Sequence, residues 1–385
     1  MSAPAPRIRL GMIGGGEDAF IGAVHRIAAR LDDKYEFVAG ALSSSAEKSV
    51  RSGLALGLPR ERSYPDYAAM LAGEAKRADG IEAVAIVTPN HVHVPAAKAC
   101  LAAGVHVICD KPLAVSLAEA RELSAIASKS DRVFAITYNY TGYPMVRHAR
   151  AMVAAGEIGR VRVVQVEYAQ DWLSTRLEES GQKQAAWRTD PARSGPAGAL
   201  GDIGTHAFNL AEFVAGDRVM AVACDLQATV PGRQLDDNAQ MLLRFAGGAR
   251  GGLWASQVAV GHENGLRLRV YGETAGLEWR QEEPNSLRVA RLGEAPRIVT
   301  RASAAARPEA ARVTRIPGGH PEGYLEAFAT IYTEAARAIV ALRTGTEASG
   351  GATFPGIDEG VRGMAFIDAA IRSGANEARW TSLEE

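Results

Sequence analysis

The stretch "GMIGGGEDAFIG", Gly11 to Gly22, decides the fold. An apolar run, Ile8 to Ile13, leads into it and reads as a buried strand; a helical stretch follows. At such a junction Gly14 and Gly16 let the backbone approach a pyrophosphate, which rests on the N-terminus of the helix. Glycines also cluster in ordinary turns, but their place between the first strand and first helix of a βαβ unit reads as a dinucleotide site. The third glycine of G-x-G-x-x-G is replaced by Ala19, and Gly22 follows three residues later. The turn is therefore expected to be longer than usual, with Phe20 and Ile21 touching the cofactor.

Working outward, strand-like runs recur at 36–42, 82–88, 105–109 and 133–138, separated by helical stretches such as 66–78, 91–103 and 116–129. That alternation predicts a parallel, doubly wound sheet of the Rossmann type. After Tyr138 the rhythm changes. A helix at 144–155 is followed by an alternating strand at 161–170 and a helix at 202–214. Strand-like runs then crowd together at 219–230, 239–245, 251–260 and 266–271, and helices return at 323–342 and 357–372. Short gaps between strands predict an antiparallel sheet. The expected fold class is α/β: a Rossmann domain over 1–140, then an α+β domain over 141–385 with a mainly antiparallel open sheet. The last helices can pack back on the first domain. The stretches 301–312 and 346–356 read as surface loops.

Composition narrows the function. The 385 residues carry a formal net charge of −1, which argues against nucleic acid or an anionic membrane as a partner. No apolar run is long enough to span a bilayer, and the first residues lack a signal-peptide core. Three cysteines without paired spacing fit a reduced, cytoplasmic protein. The histidines form no metal-ligand spacing, so no metal is expected.

Candidate contacts gather at strand ends, where open α/β sheets bind ligands. The second strand ends in Ser43, Ser44 and Ser45 instead of the acid that binds an adenosine ribose, with Lys48 and Arg51 following. The serines either meet the cofactor or cap the next helix, and NAD and NADP both remain open. "TPNHVH" offers Thr88, Asn90 and His93 after the third strand. "CDKPL" offers Asp110 and Lys111 after the fourth.

These motifs, with "GDIGTH" (Gly201 to His206), resemble in order and spacing the glucose–fructose oxidoreductase/inositol dehydrogenase/rhizopine-catabolism (Gfo/Idh/MocA) family over nearly the whole chain. The resemblance implies an NAD- or NADP-dependent oxidoreductase acting on a ring carbon of a sugar, anhydrosugar or cyclitol. It implies catalytic roles for Lys111, Asp202 and His206, and a homo-oligomer, dimer or tetramer. Two departures stand out: Asp110 where the family usually has Glu, and Thr141 in place of the Arg of the Asn-Tyr-Arg frequent after the fifth strand, whose Asn, Asn139, is an expected cofactor contact. "EYAQDW" resembles members acting on pyranose rings and implies Gln170, Asp171 and Trp172 in the substrate pocket. Trp187 and Arg188 are expected to reach the nicotinamide or pyrophosphate.

The chemistry agrees. Oxidising an alcohol needs a base for the hydroxyl proton, and imidazole titrates near neutrality. Asp202, one helical turn before His206, can orient the ring or hold a hydroxyl. Lys111 can stabilise a developing alkoxide. Two other activities share this pattern: a glycosidase that uses NAD transiently, and a silent sugar- or nucleotide-binding regulator. The intact Lys111, Asp202 and His206 argue against the regulator.

Overall fold

The computed structural model describes residues 6–17, 19–346 and 353–383. The chain divides into two compact units. The first comprises 1–114, 118–139 and 328–360; the second comprises 115–117, 140–327 and 361–385.

In the first unit, β1 (Ile8–Gly14), α1 (Phe20–Leu31), β2 (Tyr35–Ala41), α2 (Ala46–Ala55) and α3 (Tyr67–Glu74) are followed by β3 (Ala83–Val87), α4 (His93–Ala102), β4 (His106–Cys109), α5 (Leu117–Ala127) and β5 (Phe134–Ile136). The strands form one parallel sheet in the order β2-β1-β3-β4-β5. Strands covered on both faces should be apolar throughout, and every residue of β3 and β4 is buried. The strand order reverses between β1 and β3, so a crevice opens at their carboxyl ends, beside Gly14 and Thr88.

The second unit contains α6 (Pro144–Ala154), β6 (Val161–Ala169), α7 (Lys183–Arg188), α8 (Pro191–Ser194) and α9 (Thr205–Ala215). Eight strands follow or close it: β7 (Val219–Gln227), β8 (Asn238–Phe245), β9 (Arg250–Ser256), β10 (Gly265–Gly272), β11 (Ala275–Arg280), β12 (Ser286–Arg291), β13 (Arg297–Thr300) and, near the end, β14 (Thr381–Ser382). Between β13 and β14 lie α10 (Pro308–Ala311), α11 (Tyr324–Thr344) and α12 (Ile357–Gly374). The nine strands make one sheet, β13-β12-β11-β10-β6-β9-β8-β7-β14, antiparallel except for the β6–β9 pair. One face is apolar, with Val164, Val166, Leu253, Leu266, Leu268 and Val270 buried. On the other face Glu167, Arg267, Arg269 and Glu278 form ion pairs across strands. The fold class is thus the α/β arrangement expected, and no helix among the described residues is long and apolar enough to cross a membrane.

Three local expectations change. No strand is expected beyond Tyr271, yet β11 to β13 extend the sheet; their alternation is hidden because the outward positions carry Glu and Arg. The stretch 301–312 is exposed over much of its length, as expected, but it is anchored at two points. Arg301 is 3% exposed and donates to Asn285, Glu322 and the Ile316 carbonyl, and α10 buries Ala310. Buried acceptors satisfy that one guanidinium, which lets it enter the interior. Of the loop expected at 346–356, residues 347–352 lie outside those described; beyond them the Pro355 carbonyl accepts from Ile136 N at 2.8 Å, at the edge strand β5.

The position of α1 depends on a close packing of glycines. A Cβ on Gly22 would strike the backbone of Gly15. Gly22→Val is therefore expected to push α1 off β1 and destabilise the first unit by about 1–3 kcal/mol or more, as overpacking does. Urea unfolding followed by circular dichroism checks this; an unchanged midpoint would mean that helix and strand have room to separate.

Candidate active site

At the end of β1, Gly14 and Gly15 adopt φ of +79° and +74°, backbone that favours glycine. A Cβ on Gly14 would lie 2.7 Å from the Val87 carbonyl oxygen, and one on Gly16 2.6 Å from that of Leu42. Two N–H groups are used internally: Gly16 N donates to Leu42 O at 3.1 Å and Glu17 N to Ser52 Oγ at 3.2 Å. Gly16 is thus glycine because of protein packing. The N-terminus of α1 is different. Its cap, Ala19, offers no side-chain acceptor, and no acid lies in the first turn. The leading N–H groups, those of Phe20 and Ile21 included, have no intrahelical acceptor and suit an anion. Phe20 itself is 68% exposed beside them.

Around that crevice, two polar side chains have buried atoms without a hydrogen-bond partner: Thr88 through Oγ1 and Asn139 through both amide atoms, with Asn139 only 1% exposed. A buried amide left so is costly unless a ligand completes it. These orphans, the glycine cradle and the bare helix end fit a dinucleotide. The serine run does cap a helix: Ser45 accepts from Lys48 N, and Ser43 Oγ accepts from Ser45 N at 3.2 Å. Arg51 pairs with Glu17 at 3.2 Å. Asn90 is buried.

After β4, Asp110 Oδ1 accepts from Lys111 N at 2.9 Å and from Thr137 Oγ1 at 2.8 Å, so the shorter acid still braces the lysine turn. The Lys111–Pro112 peptide is cis. His93, expected at the cofactor, has no exposed surface; its Nδ1 lies 2.8 Å from Pro112 O and its Nε2 2.9 Å from Thr88 O.

In the second unit the small residues before α9 do not simply open an α-helix. Residues Leu200–Gly204 make a π-turn, and α9 starts at Thr205. Such wide turns recur at functional sites. One residue that sequence reasoning missed, Asp236, holds the turn: its carboxylate accepts from Gly198 N and Leu200 N, each at 2.7 Å. Asp202 projects from the turn. Its Oδ2 accepts from Arg188 Nε at 3.1 Å and from Gln257 Nε2 at 2.9 Å. Arg188 also lies over the ring of Trp187 at 4.3 Å and, farther off, over that of Trp172 at 5.8 Å. Trp187 and Arg188, expected at the cofactor, are thus grouped with Asp202 and Trp172.

His206 is 7% exposed and packs edge-on against Tyr140, with ring centroids 4.8 Å apart. The Tyr140 and Tyr168 hydroxyls bond each other, and Tyr168 donates to Asn264 Oδ1 at 2.7 Å. Gln170 Nε2 shares that acceptor at 2.8 Å, and Trp172 Nε1 donates to Gln170 Oε1 at 3.0 Å. Asp171 sits further along, accepting from Gly261 N at 3.1 Å. Burial pushes the Tyr140 phenol up to about 12, so it stays neutral and able to donate. Sequence reasoning missed Tyr140, Tyr168 and Gln257 as well as Asp236: Asp236 and Gln257 lie far in the chain from the turn they serve, and Tyr140 and Tyr168 stand within motifs that were read but carry no signature of their own. Among the described residues no cluster could hold a metal ion.

Enclosure pushes the Asp236 carboxyl up to about 6, against the opposing pull of its two backbone N–H bonds. The folded state therefore holds the proton more tightly than the unfolded chain. Asp236's contribution to stability is lost as pH climbs from about 4 to about 6. The charged form, present above about 6, is the better acceptor for Gly198 and Leu200. Hydrogen exchange of those two amides, corrected for its intrinsic pH dependence, should show more protection above pH 6 than below. Asp236→Asn should lack that gain at every pH. Protection that ignores pH would remove Asp236 as the staple of the π-turn.

Comparison with known proteins shows the family and the fold. A family profile described as "Oxidoreductase family, NAD-binding Rossmann fold" matches residues 8–138, and one described as "GFO/IDH/MocA C-terminal domain" matches 146–278. The crystal structure of an oxidoreductase from Sinorhizobium meliloti is 56% identical, covering 98% of this chain and 99% of that one, with a TM-score of 0.90. An inositol dehydrogenase homologue from Azotobacter vinelandii, complexed with NAD+, is 38% identical over 98% of both chains, with a TM-score of 0.95. The same homologue has been solved with NADH and myo-inositol. Levoglucosan dehydrogenase from Pseudarthrobacter phenanthrenivorans is 28% identical over 74% of this chain and 76% of its own. The chain belongs to the Gfo/Idh/MocA family and is an NAD-binding oxidoreductase.

Proposed function

We propose that the protein is an NAD-dependent dehydrogenase of a polyhydroxylated ring, a cyclitol before a pyranose, converting one ring secondary alcohol to a ketone. The observation that carries this reading is the Asp202–Arg188–Gln257–Gln170–Trp172 cluster, one turn from His206. It offers donors, acceptors and flat aromatic faces with its charges paired, which suits a neutral polyol better than an anion. The myo-inositol complex of the Azotobacter relative supports the cyclitol class.

When bound, the nicotinamide supplies the hydride acceptor. The Lys111 ammonium donates to the reacting oxygen and stabilises its developing charge. A ring nitrogen of His206 takes the hydroxyl proton, and Asp202 holds a neighbouring hydroxyl. Phe20 and Ile21 N–H groups, Thr88 and Asn139 hold the nucleotide. NAD is preferred to NADP because Arg51 is already paired with Glu17, and that carboxylate opposes a further phosphate. Trp187 belongs with Arg188 on the substrate side. The three cysteines are free and buried, in keeping with a cytoplasmic setting. Association into a dimer or tetramer would use the outer face of the nine-stranded sheet, where Leu242 is 59% exposed.

The test is a panel of cyclitols, pyranoses and anhydrosugars with NAD+ or NADP+, read for nicotinamide absorbance and glycoside cleavage together. A cyclitol should reduce NAD+ best. Cleavage without net reduction would favour the transient-NAD glycosidase instead. With the best substrate, His206→Ala should lower turnover by about 10²–10⁴-fold, the usual effect of losing an acid–base group, while NADH affinity is kept. Unchanged turnover would make His206 structural.

A further inference from the structure

Four of the buried histidines, His25, His93, His106 and His148, differ in one countable respect. His106 accepts from Val133 N through Nδ1, and His148 accepts from Arg307 N through Nδ1. His25 Nδ1 meets the Tyr332 hydroxyl, which can donate to it. Each of these arrangements suits a neutral ring. His93 meets two acceptors and no donor: Pro112 O at 2.8 Å and Thr88 O at 2.9 Å. Neutral imidazole has a single N–H. In the neutral state one ring lone pair would face a carbonyl lone pair at under 3 Å. Only imidazolium satisfies both carbonyls.

We propose that His93 is an imidazolium that clamps the end of β3 to the Lys111–Pro112 turn, and so positions Lys111. Both anchored carbonyls belong to segments of the candidate site. Thr88 O follows β3, and Pro112 O follows the lysine itself. Three groups set the charge balance. Asp110, braced by Lys111 N and Thr137 Oγ1, is the counter-charge. Lys111, on the same turn, opposes the cation. His25, from α1, also faces the ring and is kept neutral by burial, with its pKa lowered to about 4. Burial lowers the His93 pKa, against the pull of Asp110 and of the two carbonyl bonds. Taken together these groups leave the His93 pKa below its ordinary value; the donor geometry alone argues for the cation, because losing the proton breaks one bond and creates a repulsion where it stood. His93 is then a positioning residue: it has no exposed surface to offer a ligand. Its influence on chemistry rests on the role proposed above for Lys111, but its protonation state does not.

The decisive experiment is NMR of wild-type protein labelled with ¹⁵N-histidine, which needs no variant to fold. Three of the eight histidines, His91, His262 and His320, are exposed and exchange their ring protons quickly. The clamp is the one ring with two slowly exchanging N–H protons and both nitrogens at imidazolium shifts at pH 7. Finding every buried ring with a single N–H at pH 7 would overturn the proposal. Asp110→Asn should move the loss of the second ring proton to lower pH; an unmoved titration would also contradict it, by removing the counter-charge. In His93→Phe, turnover should fall at least 10-fold with NADH affinity changed less than 3-fold; equal losses in both would reduce His93 to general packing. If the two-proton ring is present but no polyol reduces NAD+, the clamp stands and the functional reading falls. If polyols are oxidised but the ring is neutral, the reverse holds.

Discussion

Gly22 lies against the backbone of Gly15 so closely that neither position accepts a side chain. That contact fixes where α1 begins relative to β1, and much of the first unit follows from it. β1 is central, flanked by β2 and β3, so the helix start stands at the point where strand order reverses. The first N–H groups of α1 then have no side-chain cap, and no acid lies in the first turn. An exposed helix end would usually recruit Ser, Thr or Asp as its cap. Leaving it bare costs local stability and keeps partial positive charge available for a pyrophosphate. Thr88 and Asn139 follow the same logic, each with buried polar atoms that no protein group satisfies.

The second unit spends its polar groups differently. Asp236 holds backbone and Asp202 holds side chains, and the two carboxylates divide the π-turn between them. With backbone N–H groups tied to Asp236, the turn presents Asp202 without strain being needed elsewhere. Gln257 and Arg188 then fix one Asp202 oxygen, and Trp172 and Trp187 flank the guanidinium. His206 packs against the rings of Tyr140 and Tyr168. Tyr140 lies against its edge and stays neutral, because burial raises the phenol to about 12.

How much of this was legible depends on sequence distance. The parallel sheet was readable because β3 is wholly apolar, β4 is apolar but for His106, and the helices between strands are long. Gly14, Thr88 and Lys111 were readable because each closes a strand. β11 to β13 were not, since Glu and Arg on their outer positions imitate a solvated loop. The burial of Arg301 was hidden for the same reason: its acceptors, Asn285 and Glu322, lie 16 and 21 residues away. The pairing of Arg188 with Asp202 could not be read either. Spacing placed both near a ligand, but only the folded chain gives Arg188 a carboxylate and two indole rings. His93 was legible as important and misread in kind: its motif marks it, but its two carbonyl partners are backbone atoms that no sequence displays.

The central claim is that this chain moves hydride from a polyol ring carbon to NAD. The most direct measurement is isotopic. Protein, NAD+ and a cyclitol deuterated at its ring carbons are mixed, and the reduced nucleotide is examined by mass spectrometry. The account predicts reduced nucleotide carrying one deuterium per molecule, formed together with a cyclitol ketone. Nucleotide that stays oxidised, or is reduced without deuterium, would contradict it.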